Sequence, residues 1–283
     1  MPPLNYSAAT DKGMCRDNNE DTYFASPDIG VWLVADGMGG HEAGEVASAI
    51  VRDSIKQQVA INVPLTTSVE FAHSAILDAV KQGIGAPGMG STVVALKSRN
   101  TEYEIVWVGD SRAYLWTFHD EGGSLEQLTL DHSYVQMLVD TGAISQTEVE
   151  NHPDKNVITQ CLGSLELRQV RVDQVHGTWE KHQWVLLCSD GLSDELDDES
   201  LARVLCESRS PKEAVSKLLQ AALDNGGNDN VTLQIIESPL SKRYFYTSIT
   251  DWLPELTGQS GIDFTLYSLA LASFGLLCFW IFG

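Results

Sequence analysis

Apolar residues along the chain follow two patterns: short continuous runs, and longer stretches in which they recur every three or four positions. The continuous runs predict strands, because they are rich in Val, Ile, Leu and aromatic side chains. Six runs are of this kind: 31–35, 92–96, 103–108, 112–116, 183–188 and 231–236. The spaced pattern predicts helices over 43–59, 68–82, 133–141 and 211–223.

The order of these elements bears on the fold class. Strands follow one another before helices appear, so a simple alternation of strand and helix is not favoured. The two runs on either side of Gly109 and Asp110 predict a β-hairpin. Ser210 is predicted to cap the last helix, with Pro211 at the first helical position.

Composition narrows the class of protein. Hydrophobic residues make up 43% of the 283 positions, enough to bury a core in one large domain or two small ones. The chain has 18 basic and 39 acidic residues, a formal net charge of -21. No nucleic acid is expected as a partner, because its phosphates would be repelled.

The two ends of the chain carry the prediction of location. Residues 1–11 lack the basic and apolar segments of a signal peptide, and the five cysteines, without a C-x-x-C pair, suit a reducing compartment. Residues 264–282 contain no charged residue and have about the length of one transmembrane helix. We therefore expect a cytoplasmic domain over 1–238, a linker over 239–262 and a helix over 263–283 that anchors it in the cell (inner) membrane. The alternative is that this helix packs against the domain or a partner.

Acidic residues flank several of the apolar segments. Burying a carboxylate at the end of a strand is costly unless it is paired or binds a cation. Oxygen ligands favour Mg²⁺, Mn²⁺ or Ca²⁺ over Zn²⁺, so the set predicts a shared site for such ions, although each acid alone is also compatible with an ordinary turn. The six candidates are Glu20, Asp21, Asp36, Asp110, Asp190 and Asp229. The Gly37 carbonyl is a further candidate ligand, because glycine lets the backbone approach an ion.

Seven motifs in order carry a family resemblance. They are T-D-K-G-M-C-R-D-N-N-E-D (10–21), V-A-D-G-M-G-G-H-E-A-G-E (34–45), G-M-G-S-T-V-V (88–94), V-G-D-S-R-A-Y (108–114), D-H-S (131–133), C-S-D-G-L (188–192) and N-D-N-V-T (228–232). Together they resemble the protein phosphatase 2C family of metal-dependent serine/threonine phosphatases, in its short bacterial form. The resemblance spans 7–236 and implies an α+β fold, a four-layer α-β-β-α sandwich of two antiparallel sheets.

The resemblance also implies roles for individual residues. Asp36 would bridge two Mn²⁺ or Mg²⁺ ions, with the Gly37 carbonyl, Asp190 and Asp229 completing the shell of one. Asp21, together with Glu20, would hold the other ion directly or through water. Asp110 would hold a weaker third ion with Asp190.

Catalysis is expected to depend on Asp36, Asp190 and Arg16, which matches the family's phosphate-binding arginine. Met38 replaces the histidine that is a proposed general acid in many eukaryotic members, so the proton donor is left open. His41 is interpreted as structural, and His132 in D-H-S as a residue that orients a loop. Residues 133–163 resemble the family's flap beside the metal site.

The activity implied is hydrolysis of phosphoserine and phosphothreonine in proteins, by water activated at the two cations. The expected partners are phosphorylated proteins, opposed by a serine/threonine kinase, and the protein is expected to be a monomer. A membrane-tethered pseudophosphatase scaffold is the alternative, which the presence of Asp36, Asp190 and Asp229 disfavours. A haloacid-dehalogenase-type phosphatase is disfavoured because V-A-D-G-M-G lacks a second aspartate for a D-x-D motif.

Overall fold

The strands lie in two antiparallel sheets in the computed structural model, which describes residues 4–40, 43–149, 152–167 and 169–241. One sheet has the spatial order β1 (Tyr6–Asp11), β11 (Val231–Glu237), β10 (Gln183–Cys188), β7 (Arg112–His119) and β8 (Gly122–Gln127). The other has the order β2 (Asp21–Ser26), β3 (Val31–Met38), β5 (Val93–Arg99), β6 (Glu102–Val108) and β9 (Asp173–Thr178), with the short β4 (Gly90–Ser91) beside β3.

Helices cover the outer faces of both sheets. The sheet that contains β3 packs against α1 (Ala43–Ala60) and α2 (Leu65–Lys81). The sheet that contains β10 packs against α4 (Asp190–Ser193), α5 (Asp198–Cys206) and α6 (Pro211–Asp224). The connection from β8 to β9 contains α3 (Tyr134–Asp140) and a 3-10 helix, Gln146–Glu148.

Alternation along β3 shows how the layers are built. Leu33 and Ala35 face the helical layer, whereas Trp32 and Val34 face the opposite sheet, where they belong to the same apolar cluster as Val185 of β10. Both faces of β3 are therefore buried. A strand covered on both faces reads as a continuous apolar run, which is why the sequence pattern identified it.

The predicted helices and the six predicted strands are confirmed, with small shifts of their ends. The Ser210 hydroxyl accepts a hydrogen bond from the Glu213 backbone N–H at 3.2 Å, as expected of an N-cap. The hairpin predicted at Gly109 and Asp110 is wrong, because β6 and β7 belong to different sheets. The chain crosses from one sheet to the other at this turn.

The predicted linker from 242 onward and the predicted transmembrane helix over 263–283 lie outside the described residues. Within the part of the chain that the structure describes, no helix combines the length and the apolar character needed to cross a bilayer.

Candidate metal and phosphate site

Two of the predicted acids sit opposite each other at the ends of adjacent strands. Asp21 opens β2, Asp36 lies near the end of β3, and the two are directly paired in the antiparallel register. Both side chains lie on the strand face that is turned toward the other sheet. Tyr23 and Val34, two positions away on the same strands, contribute to the layer between the sheets, and residues two apart share a face. The pair therefore lies where that layer opens at one edge.

The opposite sheet contributes Asp190, which follows β10 and begins α4. Its neighbour Ser189 is fully buried and donates a hydrogen bond from its hydroxyl to Asp21 Oδ2 at 2.7 Å. This bond joins the two sheets at the site. The motif C-S-D-G-L thus supplies both an acid and the serine that orients an acid of the other sheet.

The carboxyl groups strongly perturb one another. Burial raises the pKa of Asp36 well above its ordinary value, and the charges of Asp21, Asp190 and Asp110 raise it further. Burial likewise raises the pKa of Asp21 to about 8, although a hydrogen bond from Ser189 opposes the shift. Several carboxylates in one desolvated place disfavour ionisation unless a cation balances them.

Asp110 joins this group through the turn that crosses between the sheets. Gly109 before it has φ +107°, and a side chain there would overlap Thr92. The Thr92 hydroxyl is hydrogen-bonded to Ser111 at 2.7 Å and accepts from the Asp36 backbone N–H at 3.2 Å. Two buried hydroxyl groups therefore connect the backbones that carry Asp36 and Asp110.

Asp229 is held differently, in an ion pair. Its Oδ2 accepts a hydrogen bond from Arg16 Nη2 at 2.6 Å, and its Oδ1 accepts from the Asn230 backbone N–H at 2.8 Å. The Arg16 side chain is 53% exposed. The predicted phosphate-binding residue and a predicted metal ligand are thus each other's partners at the mouth of the site.

Glu20 has a second explanation besides cation binding. Its carboxylate lies against Gly44 near the beginning of α1, where the backbone N–H of Gly44 hydrogen-bonds it. An acid at this position interacts favourably with the positive end of the helix dipole. Its backbone carbonyl also accepts from the Gly37 N–H at 3.1 Å.

The donor set suits a hard cation. Asp21 Oδ1 and Asp190 Oδ1 are buried, and neither has a hydrogen-bond partner among the described residues. Such orphaned carboxylate oxygens are costly unless a cation or water occupies the space between them. Over the described ranges, no group of three or more His, Cys, Asp or Glu side chains is arranged so that it could hold a metal ion as it stands. The acids approach the site from both sheets.

Four residues of the site were not predicted individually. Ser189, Thr92 and Ser111 supply the hydroxyl groups described above, and all of them lie inside the quoted motifs. Asn230 accepts from the Glu20 backbone N–H at 2.7 Å and donates to the Lys12 and Asn18 carbonyls at 2.9 and 2.8 Å. Ser111, Ser189 and Asn230 each lie next to an acid in a motif, and this was the signal available in the sequence. Thr92 lies in the motif G-M-G-S-T-V-V, which contains no acid, so its sequence context gave no such signal.

The two histidines near the motifs differ in what the structure shows. His41 lies outside the described residues. His132 accepts a hydrogen bond at Nδ1 from the Gly109 backbone N–H at 3.1 Å, so its predicted loop-orienting role agrees with its contacts.

Two glycines of the D-G-M-G-G motif, Gly37 and Gly40, differ in the space available for a side chain. A Cβ at Gly37 would overlap the Gly44 carbonyl oxygen, whereas a Cβ at Gly40 would meet no atom of the described residues within 4 Å. Gly37→Ala should therefore displace the end of β3 or the beginning of α1, destabilise the fold by about 1–3 kcal/mol and impair the site. Gly40→Ala is the matched control and should behave like wild type. Urea unfolding of both variants measures the difference, and equal stability would contradict this account of the close approach.

A model of the protein phosphatase 2C family matches residues 7–225, and the chain belongs to this family. It is 35% identical over 240 residues to the serine/threonine protein phosphatase PstP of Mycobacterium tuberculosis, covering 83% of this chain and 45% of that protein. It is 34% identical over 247 residues to the serine/threonine phosphatase stp of Listeria monocytogenes, covering 83% of this chain and 96% of that protein. The chain thus spans about half the length of the mycobacterial relative.

Solved structures agree with this assignment. A crystal structure of the M. tuberculosis PstP has a TM-score of 0.75 at 34% identity, covering 85% of this chain and 100% of that chain. A crystal structure of the PstP catalytic domain in complex with two manganese ions has a TM-score of 0.71 at 34% identity, covering 83% and 98%. The α+β fold with two antiparallel sheets is therefore that of the family's catalytic domain.

Proposed function

We propose that this protein is a Mn²⁺- or Mg²⁺-dependent phosphatase that hydrolyses phosphoserine and phosphothreonine in proteins. The observation that carries the proposal is the meeting of Asp21 and Asp36 with Asp190 of the opposite sheet, where two buried carboxylate oxygens have no hydrogen-bond partner among the described residues. Membership of a family whose matched relatives are named serine/threonine phosphatases supports the substrate class.

Each acid would have its own share in cation binding. Asp36 pairs with Asp21 in its own sheet and is also perturbed by Asp190 of the opposite side, so it would contribute to both core ions. Asp190, Asp229 and the Gly37 carbonyl would bind one of them. Asp21, with Glu20 nearby, would hold the other. Asp110 would serve a weaker third ion together with Asp190. When bound, such ions lower the pKa of water and neutralise phosphoryl oxygens, which is the chemistry that hydrolysis of a phosphate ester requires.

Arg16 would bind the substrate phosphate. A guanidinium group donates two parallel hydrogen bonds to phosphate oxygens, and Arg16 is exposed at the edge of the site. Its present partner is Asp229, so a phosphate that takes over the guanidinium would also release an Asp229 oxygen toward the cations. Phosphate binding and completion of the acidic site would then support each other.

The group that protonates the leaving oxygen has to be one other than Met38. Met38 has no proton to donate, and His41 lies outside the described residues. A water at the site or another side chain would protonate the departing serine or threonine oxygen.

Hydrolysis of a phosphothreonine peptide, with p-nitrophenyl phosphate as a second substrate, tests the function. Phosphate release is expected with Mn²⁺, loss of activity with EDTA, and recovery when Mn²⁺ is restored. Full activity in EDTA would contradict the metal mechanism. Binding of Mn²⁺ and phosphopeptide without turnover would favour the pseudophosphatase scaffold.

Substitution of Arg16 tests the phosphate contact. Arg16→Ala should raise KM for phosphate esters by ~10-fold or more, because a charge-assisted hydrogen bond contributes roughly 1.5–3 kcal/mol. Arg209→Ala, at an exposed arginine outside the proposed site, is the control. An unchanged KM in the Arg16 variant would assign this residue to holding Asp229 only.

We further propose the membrane location that the sequence predicts, with the domain over 1–238 in the cytoplasm and 263–283 as the anchor. The support is the uncharged apolar stretch 264–282, which lies outside the described residues. The full chain should pellet with membranes and resist carbonate extraction, whereas a chain ending at Ser241 should stay in the supernatant. Recovery of the full chain without detergent would contradict the anchor. We also propose that the substrates are proteins phosphorylated by a serine/threonine kinase, and that the protein is a monomer.

A further inference from the structure

His132 forms two hydrogen bonds with the backbone of the turn that carries Asp110. Its ring Nδ1 accepts from the Gly109 backbone N–H at 3.1 Å, and its backbone N–H donates to the Gly109 carbonyl at 2.9 Å. Both backbone polar groups of Gly109 therefore have the same partner. Because this turn passes between the sheets, Gly109 is in neither ladder, and His132 supplies the bonds that a strand neighbour would provide.

The same ring reaches the end of the flap. Gln160 Nε2 donates to His132 Nδ1 at 2.9 Å, and the Thr159 backbone N–H donates to the His132 carbonyl at 2.7 Å. The orientation of the Gln160 amide is set by Arg171, whose backbone N–H and carbonyl bind its Oε1 and Nε2 at 3.0 and 2.9 Å. One side chain thus connects the Asp110 turn with the returning segment of the flap.

These contacts define the tautomer. Two N–H donors point at Nδ1, so Nδ1 is unprotonated and the ring proton is on Nε2, which faces Asp173 Oδ2 at 3.3 Å. Asp173 is itself held by the Arg171 guanidinium at 2.6 and 3.0 Å. The ring stacks on Trp107, with centroids 6.4 Å apart and planes at 27°. Position and tautomer are both determined by neighbours.

Asp110 needs such support. Burial, together with the charges of Asp190 and Asp131, raises the pKa of its carboxyl group well above the ordinary value. Arg112 balances Asp131, with Nη2 2.7 Å from Asp131 Oδ2. The two hydrogen bonds between His132 and Gly109 hold the neighbouring backbone and involve no atom of the Asp110 carboxyl group.

We infer that His132 is a positioning residue that holds the Gly109–Asp110 turn against the acidic site and couples it to the flap through Gln160. This inference rests on the proposed function. Its consequence is that the most weakly bound cation, at Asp110, binds poorly when Nδ1 no longer accepts a hydrogen bond from Gly109.

Two substitutions separate the two ring nitrogens. In His132→Asn, the side-chain oxygen lies near the place of Nδ1 and can still accept from Gly109. In His132→Gln, the longer side chain places its amide near Nε2, so Asp173 keeps a donor and Gly109 loses its acceptor. His176→Asn, at an exposed histidine of the same strand as Asp173, is the control, and Asp110→Asn is the reference for loss of the weakest ion.

The measurements are Mn²⁺ titration followed by electron paramagnetic resonance and the Mn²⁺ concentration for half-maximal phosphopeptide hydrolysis, both on the full chain. His132→Gln should weaken the weakest Mn²⁺ by ~10-fold, the equivalent of one lost hydrogen bond, and leave the tighter ions unchanged. His132→Asn should stay within ~3-fold of wild type.

Several outcomes would overturn the inference. One is equal Mn²⁺ binding in the Asn and Gln variants. Another is a lower unfolding temperature with unchanged Mn²⁺ dependence, since that describes a merely structural residue. A wild-type protein that binds no ion weakened by Asp110→Asn would also contradict it. If wild type binds Mn²⁺ without hydrolysing phosphopeptides, the proposed function fails while the resonance titration still decides the role of His132.

Discussion

Asp36→Asn and Asp190→Asn should each lower turnover by roughly 10³-fold or more while making the metal-free protein more stable. The loss follows because cations at such sites supply several kcal/mol of charge stabilisation to the transition state, and about 4 kcal/mol corresponds to that factor. The gain follows because the two carboxyl groups share a desolvated site in which burial and neighbouring charges disfavour ionisation. A neutral amide removes one of the charges.

Two assays separate the effects. Phosphopeptide turnover at saturating Mn²⁺ reports the loss, and urea unfolding in EDTA reports the gain in stability. Asp120→Asn, at an exposed aspartate between β7 and β8, is the control for removing a negative charge from the surface. Variants that lose both turnover and stability would indicate that these acids hold the fold rather than cations.

The free energy of unfolding of the metal-free protein should fall as pH rises from about 4 to about 8, because the carboxyl groups of the site ionise over this range. Asp21 determines the direction of this change in stability. Its carboxyl group ionises near pH 4 in the unfolded chain, whereas burial raises its pKa to about 8 in the folded protein. The folded state therefore binds more protons across that window, and its stability decreases with increasing pH. Asp36 and Asp110, whose pKa values burial also raises, act in the same direction.

Mn²⁺ should reverse this slope, because a cation binds the ionised carboxylates and competes with protons. Urea unfolding at several pH values between 5 and 8, with EDTA and with Mn²⁺, measures both slopes. Asp21→Asn removes one raised pKa and should flatten the slope in EDTA. A metal-free protein that becomes more stable as pH rises would contradict the assigned environment of these acids.

The strands that the sequence predicted and those it missed differ in their place in the sheets. All six predicted strands are interior: β3, β5, β6, β7, β10 and β11. The four edge strands were missed: β1, β2, β8 and β9. Edge strands have a neighbour on one side only and remain partly exposed, as in G-G-S-L-E-Q of β8. Their apolar signal is therefore weak, and the edge is completed by backbone pairing that leaves little trace in local sequence.

The error at Gly109 and Asp110 has a related cause. Two apolar runs separated by a tight turn are compatible with a hairpin and with a crossing between stacked sheets. Partner choice decided between them, because β6 pairs with β5 and β9 while β7 pairs with β10 and β8. The crossing has a functional consequence, since it carries Asp110 to the gap where acids of both sheets meet.

The sequence by itself determined which segments are buried, which of their ends carry acids, and, through seven ordered motifs, the family. These properties are local, because burial on both faces of a strand requires apolar residues and a costly buried acid is conspicuous among them. Tertiary structure alone decided which acids face one another and which partners they have. Ser189 and Asp21 are 168 positions apart, and Arg16 and Asp229 are 213 apart. Contacts over such separations arise from sheet stacking, whose register is determined by packing across the whole domain rather than by any local pattern.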